Sequence, residues 1–375
     1  MTWDIGIIGL GTMGSMAMWQ LAKQNVSIIG FEQYGIGHDR SAAGGESRLF
    51  RTAYKEGEQY VPLLKESKLL WRELEKETGN KLLSLSGGLT IGNPDDDIMK
   101  NVIKSAKHYD IEHEILDYND AKKRYPQHLI DRNEIMVLDK EAGFLRPEYA
   151  VVSAVERAKE LGATVNSYTP VTNVEQDGEK VIIQTREKEY KVNQVLIATG
   201  PWIRELIPEF SPIVEAKKII LSWFAPHNAE DFLPKMFPIF TRTSGEYKFY
   251  GGPTVENSMV KVGVSNSIPL GDAKNINRTV EPEEICENVM IIKKFFNGLY
   301  PDPVRVNAYM DAYTIDNHSL VGRIPNFPNA IVVGGFSGHG FKMAPAIGKI
   351  AKDILLNQKN NFDINALSPL RFQKK

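Results

Sequence analysis

Gly9, Gly11 and Gly14 stand at G-x-G-x-x-G spacing directly after the apolar run Ile5–Ile8, and Ser15–Lys23 follows as a helix. Such a strand, turn and helix can cradle a pyrophosphate. The first glycine permits the tight turn, the second lets the backbone approach the phosphates, and the third allows helix to pack on strand, with the positive end of the helix dipole facing the anion. A second apolar run, Val26–Phe31, ends in Glu32, at roughly the 20-residue spacing of an acid that accepts hydrogen bonds from an adenosine ribose. A glycine-rich turn in another kind of α/β protein is the bland alternative.

The elements that must position this cradle recur along the chain. Helical periodicity covers Tyr60–Thr78, with Leu63, Leu64, Leu69, Leu70 and Trp71 as its apolar stripe, and further helices are expected at Asp95–Tyr109, Asp120–Tyr125 and Pro147–Leu161. Residues 86–92 read as a short strand, and Ala163–Asn166 as the start of a strand pair closing near Val181–Thr185. A solvated hairpin is expected at Gln184–Tyr190, then a buried strand running from Gln194 into Ala198-Thr-Gly200. Residues 216–265 alternate in the manner of antiparallel strands with one wet face. A helix at Pro282–Leu299, a strand at Ala330–Gly334 and a helix near Ala344–Leu356 complete the series. This predicts an α/β protein: a doubly wound nucleotide domain of residues 1–80, 150–210 and 312–375, interrupted twice by an antiparallel substrate domain of residues 81–149 and 211–311.

Composition narrows the function. With 45 basic against 47 acidic residues the chain offers no electrostatic case for nucleic acid or an anionic membrane, and no apolar run reaches bilayer-spanning length. Cys286 is the single cysteine. It can form no internal disulfide, and the N-terminal strand lacks the features of a secretory signal, so a cytoplasmic protein is expected. The seven histidines show no metal-ligand spacing, and no G-x-S-x-G nucleophile elbow occurs.

The dispersal of the glycine signals separates flavin from nicotinamide. A nicotinamide dehydrogenase usually has one continuous nucleotide domain, whereas here the signals recur at Ala198-Thr-Gly200 and at Gly334-Gly-Phe-Ser-Gly-His-Gly-Phe-Lys342. The first, followed by Pro201 and Trp202, resembles the second dinucleotide-contacting segment of FAD-dependent amine and amino-acid oxidases. The other resembles the turn that wraps the isoalloxazine edge. FAD is the expected cofactor.

Longer motifs make the resemblance specific. Gly45-Glu-Ser-Arg-Leu-Phe-Arg51, Ala53-Tyr-Lys-Glu-Gly57, Tyr60-Val-Pro62, Phe249-Tyr-Gly-Gly-Pro253 with Lys261-Val-Gly263, Asp316-Asn-His318 and Gly335-Phe-Ser-Gly-His-Gly-Phe-Lys342 occur in this order. The chain resembles the monomeric sarcosine oxidase and N-methyltryptophan oxidase family over essentially its whole length. The resemblance implies FAD-dependent oxidation of the N-methyl carbon of a secondary amino acid, with oxygen as acceptor and hydrogen peroxide, formaldehyde and the demethylated amine as products. It also implies a monomer, and cofactor contacts at Gly9, Gly11, Gly14, Glu32, Ser41, Arg48, Gly200, Gly335, Ser337, Gly338 and Lys342.

Several side chains carry this expectation. Arg51 and Lys342 lie on separate flavin-adjacent motifs and could converge on a substrate carboxylate, Arg51 as a fork and Lys342 as a point charge; the resemblance gives their counterparts that role. Pairing with a phosphate or a surface acid is the alternative. Lys261 would point away from the core face of its strand, which equally suits a solvated lysine; by resemblance it lies beside the flavin, where a fixed cation stabilises negative charge developing on oxygen. Arg48 would face the flavin and stabilise negative charge on the reduced ring, or form a structural ion pair with Glu46 or another acid. His339, between two glycines, suits a flavin or substrate contact. His318 is not assigned a catalytic role, because its Asp-x-His setting equally suits local hydrogen bonding. Tyr250 either lines the substrate site or is simply packed.

Departures from the family matter too. Its flavin-linking cysteine would fall at Tyr309 on an ungapped count from His318, or at Asp311 when Tyr313-Thr314 is used as the anchor, which makes Tyr313 the substrate-pocket tyrosine. Neither is a thiol, and Cys286 lies in a helical stretch, so non-covalent FAD is expected. On the ungapped count Asp311 replaces the pocket tyrosine and Ser265 stands where some relatives have a histidine. A substrate bulkier than an N-methylglycine follows, with a basic or donor group reaching Asp311, unless Asp311 points to water or caps a turn. A flavin dehydrogenase or oxidase for another amine or imino acid is the nearer alternative; a flavin-binding protein without catalysis is the more distant one.

Overall fold

Strand Thr2–Ile8 pairs in parallel with Ile28–Phe31 on one side and Glu189–Ile197 on the other. In the computed structural model, which describes residues 2–53, 60–271, 273 and 277–373, these strands are the centre of an eight-stranded sheet. Residues 54–57 of one sequence motif lie outside the described residues. The parallel row continues to Thr164–Asn166 at one end and Phe327–Gly334 at the other, where Leu320–Ile324 adds an antiparallel edge.

Both faces of this row are apolar, as a sheet covered on both sides requires. Ile5, Ile7, Leu196, Ile331 and Val333 pack with residues of helices Thr12–Ala22, Pro147–Glu160 and Ala344–Leu355. Alternate residues, Ile8, Val195, Ile197, Ala330 and Val332, face Val174, Val181, Ile183, Ile203 and Phe210 on the opposite side.

One expectation about this sheet is corrected. Thr164–Asn166 does not open the pair that closes at Lys180–Thr185; it joins Ile28–Phe31 in parallel, and the hairpin partner is Val171–Asp177. Helix Pro147–Glu160 supplies the crossover that a parallel strand needs, so the strand after it returns to the sheet edge. The first helix also begins at Thr12, ahead of Ser15, which puts Gly14 inside it. There a Cβ would stand 1.8 Å from the Gly9 carbonyl oxygen.

A nine-stranded sheet holds the middle of the chain, and near one edge of it Val214–Phe224 runs antiparallel to both Val260–Val264 and Arg305–Thr314. The antiparallel expectation holds except at one junction: Ile239–Ser244 runs parallel to Gly88–Gly92. These two strands arrive from separate passages of chain, so no hairpin dictates their direction. Val260 and Val262 enter a core rich in phenylalanine, with Phe224, Phe237, Phe240, Phe249, Phe295 and Phe296. The strand period of two therefore turns Lys261 to the other face. A three-stranded sheet of Arg48–Phe50, Gly143–Leu145 and Leu83–Ser84 is the smallest of the three. Among the described residues no helix is long and apolar enough to cross a membrane.

Arg242 and Glu134 form a forked ion pair inside the nine-stranded sheet, with contacts of 3.1 and 2.5 Å and side chains 0% and 3% exposed. Removing one partner would leave a buried charge uncompensated. Glu134→Gln is therefore expected to cost about 3 kcal/mol or more, and an apolar pair, Glu134→Leu with Arg242→Met, to recover most of it. Thermal and denaturant unfolding of the two variants check this; equal stability of Glu134→Gln and wild type would contradict it.

Candidate active site

The first helix opens at Gly11 with no side-chain cap, so the N–H groups of its first turn are left for another acceptor. They border a cavity of about 570 Å³. Gly9, at φ +87°, makes the turn into it, and Gly11 borders it with only one protein atom, Ser41 Cβ at 3.9 Å, near the position a Cβ would take. Two hydroxyls on the same wall, Thr12 Oγ1 and Thr199 Oγ1, are buried without a partner among the described residues. An uncapped helix N-terminus, bare glycine backbone and two orphaned hydroxyls fit the pyrophosphate of FAD. Glu32 lies farther along, its carboxylate accepting the N–H groups of Leu10 at 3.0 Å and Tyr34 at 3.1 Å, with His38 Nε2 at 3.4 Å. Ser41, Gly200, Gly335 and Gly338 line the same cavity. Gly14 does not; its part is the helix–strand contact. Ser337 and Lys342, expected to touch the cofactor, line the neighbouring cavity alone.

That second cavity, about 600 Å³, shares Ala42, Arg48, Asp311, Gly338 and Phe341 with the first. Arg48 reaches the shared wall from the smallest sheet and donates to the carbonyls of Ala42 at 2.7 Å and Ser47 at 2.9 Å. The alternative of an ion pair with Glu46 is not what the structure holds. Glu46 instead pairs with Arg305 at 2.6 Å and accepts from Trp223 Nε1 at 3.0 Å.

Lys261 lies behind Arg48. Its ammonium donates to the carbonyls of Gly45 and Ser47. Burial, reinforced by the Arg48 charge, holds its pKa well below the usual lysine range. The carbonyls are presented by a left-handed turn, Gly45 at φ +105° and Glu46 at +64°, whose N–H groups both donate to Glu148 Oε1 at 2.6 and 3.0 Å.

Asp311 accepts the Ala312 N–H at 2.8 Å, and burial lifts its carboxyl to about 6. It is Asp311, not Tyr309, that reaches the wall common to both cavities. Tyr309 packs against Gly44, where a Cβ would meet its ring at 2.3 Å. Tyr250 and Tyr313 line the second cavity, and burial raises both phenols. Ser265 is exposed at its edge. Cys286 is exposed on helix Pro282–Phe295 and lines neither cavity.

Arg51 and Lys342 enter the second cavity 7% and 5% exposed, although nearly three hundred residues separate them. Arg51 Nη1 lies 3.4 Å from Thr241 Oγ1, and Lys342 Nζ donates to the His339 carbonyl at 2.8 Å. His339 Nε2 is 3.2 Å from the Asn317 carbonyl. Sequence reasoning passed over the pair beside it: Tyr60 hydroxyl and His318 Nδ1 are 2.7 Å apart, and both residues line the cavity. Tyr60 belongs to a quoted motif but carried no chemical signal of its own. Thr12, Thr199, Thr241 and Glu148 were missed as well, since a lone hydroxyl or acid becomes distinctive only through its long-range contacts.

Comparison with known proteins agrees with the geometry. The family described as FAD dependent oxidoreductase matches residues 4–354. Monomeric sarcosine oxidase of Streptomyces avermitilis is 31% identical, over 99% of this chain and 98% of the relative. N-methyl-L-tryptophan oxidase of Escherichia coli O127:H6 is 29% identical over the full length of both. Among solved structures, the amino acid oxidase NikD shares the fold with a TM-score of 0.87 at 19% identity, covering 98% of this chain and 97% of that one. The chain belongs to the FAD-dependent oxidoreductase family, in the group of amino-acid oxidases that includes monomeric sarcosine oxidase and N-methyl-L-tryptophan oxidase.

Proposed function

We propose that this protein is an oxidase of a secondary, N-methyl or N-alkyl, amino acid that passes electrons to oxygen and releases hydrogen peroxide. The observation that carries the reading is the pair of buried cations, Arg51 and Lys342, in a cavity sharing a wall with the FAD cradle. The names of the two curated relatives supply the secondary amine. The division into a cofactor domain of residues 1–80, 150–210 and 312–375 and a substrate domain of residues 81–149 and 211–311 is part of this reading. So is a cytoplasmic setting, which the single exposed thiol supports.

Bound FAD supplies the electron acceptor for oxidation of the amine's C–N bond. The chain's own residues orient and polarise. Arg51 and Lys342 hold the carboxylate, fixing which carbon is presented to the shared wall, and positioning of this kind contributes much of the rate. Arg48 places positive charge at that wall, against the cofactor, and Lys261, behind it on the second cavity, is the cation for oxygen reduction. Tyr250, Tyr313 and His339 shape the cavity. Asp311, its carboxyl lifted to about 6 by burial, favours a substrate with a donor or basic group beyond the N-methyl carbon.

Mixing the holoprotein anaerobically with a panel of N-methyl, primary and cyclic amino acids tests the reaction. N-methyl amino acids larger than sarcosine are expected to bleach the flavin fastest, and admitted air to restore the colour with one peroxide per turnover. Bleaching confined to cyclic or primary substrates would replace the reading, and colour that returns only with an artificial acceptor would make the enzyme a dehydrogenase.

Lys261 acts as a cation in this account, so pH has a definite sign. Its pKa lies below the ordinary 10.5, and oxygen reactivity should fall as pH rises through that lowered value. Lys261→Met should slow flavin reoxidation far more than reduction, and remove the pH dependence. Stopped-flow traces in which only reduction suffers would dismiss Lys261 from this role.

With no thiol lining either cavity, FAD is held without a covalent bond. Acid precipitation should leave the yellow colour in the supernatant, and Cys286→Ser should keep a full complement of flavin. Colour remaining with the precipitated chain would show a bond to Tyr309, Asp311 or another side chain.

A further inference from the structure

Arg371 lines neither cavity, yet its guanidinium is used completely. In the turn Pro369–Phe372 its five N–H groups meet five acceptors: Asp316 Oδ2 at 2.8 Å and Oδ1 at 3.1 Å, and the carbonyls of His318 at 2.6 Å, Ser319 at 3.0 Å and Ser368 at 3.1 Å. An exposed ion pair alone would contribute little. Here one planar fork holds a carboxylate and three backbone carbonyls together, an arrangement that a lysine cannot reproduce.

The segment so held, residues 314–319, is the floor under the proposed carboxylate site. Asp316 Oδ1 also accepts the His318 N–H at 3.0 Å, and Thr314 Oγ1 donates to the His318 carbonyl at 2.8 Å. Besides the bonds of Thr314 to Ser337, contacts at His318 and Asn317 leave this segment for the cavity. The His318 ring meets the Tyr60 hydroxyl at 2.7 Å, and the Asn317 carbonyl meets His339 Nε2 at 3.2 Å. Tyr60 stands edge-on to the His339 ring at 5.5 Å, and the His339 carbonyl accepts the Lys342 ammonium at 2.8 Å. Polar contacts thus run from Arg371 through the Asn317 carbonyl and His339 to one of the two cations, and Tyr60, hydrogen-bonded to His318, braces that path by packing its ring on His339.

We propose that Arg371 is a positioning residue for substrate, setting the Lys342 ammonium through the Asp316–His318 segment, Tyr60 and His339. The proposal rests on the reading that Lys342 binds the substrate carboxylate. Arg371 touches no reacting group, so its removal should weaken carboxylate binding while leaving the cofactor in place.

Titration of propionate into the holoprotein, followed by the visible flavin spectrum, tests this. Arg371→Ala is expected to raise the Kd roughly tenfold, the scale of one lost hydrogen bond, with FAD content unchanged. Tyr60→Phe keeps the ring and deletes only the hydroxyl that meets His318, so it should produce a similar loss without disturbing the C-terminal turn. Because both act along one path, the double variant should be little worse than the weaker-binding single one. Arg371→Lys should fall between Arg371→Ala and wild type. Wild-type affinity in Arg371→Ala, or losses that multiply in the double variant, would overturn the proposal. Lys342→Ala and Arg51→Ala test the underlying reading separately: if neither weakens propionate, the carboxylate site itself is misplaced.

Discussion

A lysine ammonium taken out of water must be met by oxygen, and the carbonyls of Gly45 and Ser47 are what meet Lys261. Much of the site follows from satisfying that one buried charge. The two carbonyls face it because Gly45 and Glu46 take left-handed conformations, and Glu148 secures the turn from behind. Arg48 leaves this same turn and folds back on the carbonyls of Ser47 and Ala42, which puts a second cation on the wall between the cavities. The turn is therefore held between a lysine from one sheet and a glutamate at the start of a helix packed on another.

Strand Arg305–Thr314 couples the two halves of the site in a different way. Its ten residues all pair with Val214–Phe224, so a shift of register would move every side chain it presents. At this register Tyr309 closes against Gly44, Asp311 reaches the shared wall and Tyr313 faces the second cavity. The strand's last residue, Thr314, then begins the segment on which Arg371 acts.

The cradle was legible because its requirements are local: Gly9, Gly11 and Gly14 act within one turn, and an apolar run announces the strand before them. Alternation with Val260 and Val262 turned Lys261 off the core face, and the family resemblance, not the strand period, gave that face to the cavity and not to water. The join of Thr164–Asn166 to Ile28–Phe31 was not legible, because three residues carry too little pattern to choose a partner across more than a hundred positions. Nor were Glu148, or His318 bound to Tyr60, for their meaning lies wholly in the groups that folding brings beside them. The choice between Tyr309 and Asp311 could not be made by counting either. It turned on which side chain the sheet register carries to the wall.

The cradle's dispersal along the chain also bears on what flavin binding reports. Gly9 and Gly11 precede Gly335, Gly338 and Phe341, which border the same cavity, by more than three hundred residues. A chain lacking the segment from Gly335 to Phe341 would keep the phosphate turn but lack part of the cavity's lining. The complete cofactor cavity therefore exists only when segments from distant parts of the sequence have come together, so flavin binding reports long-range folding and not the phosphate turn alone.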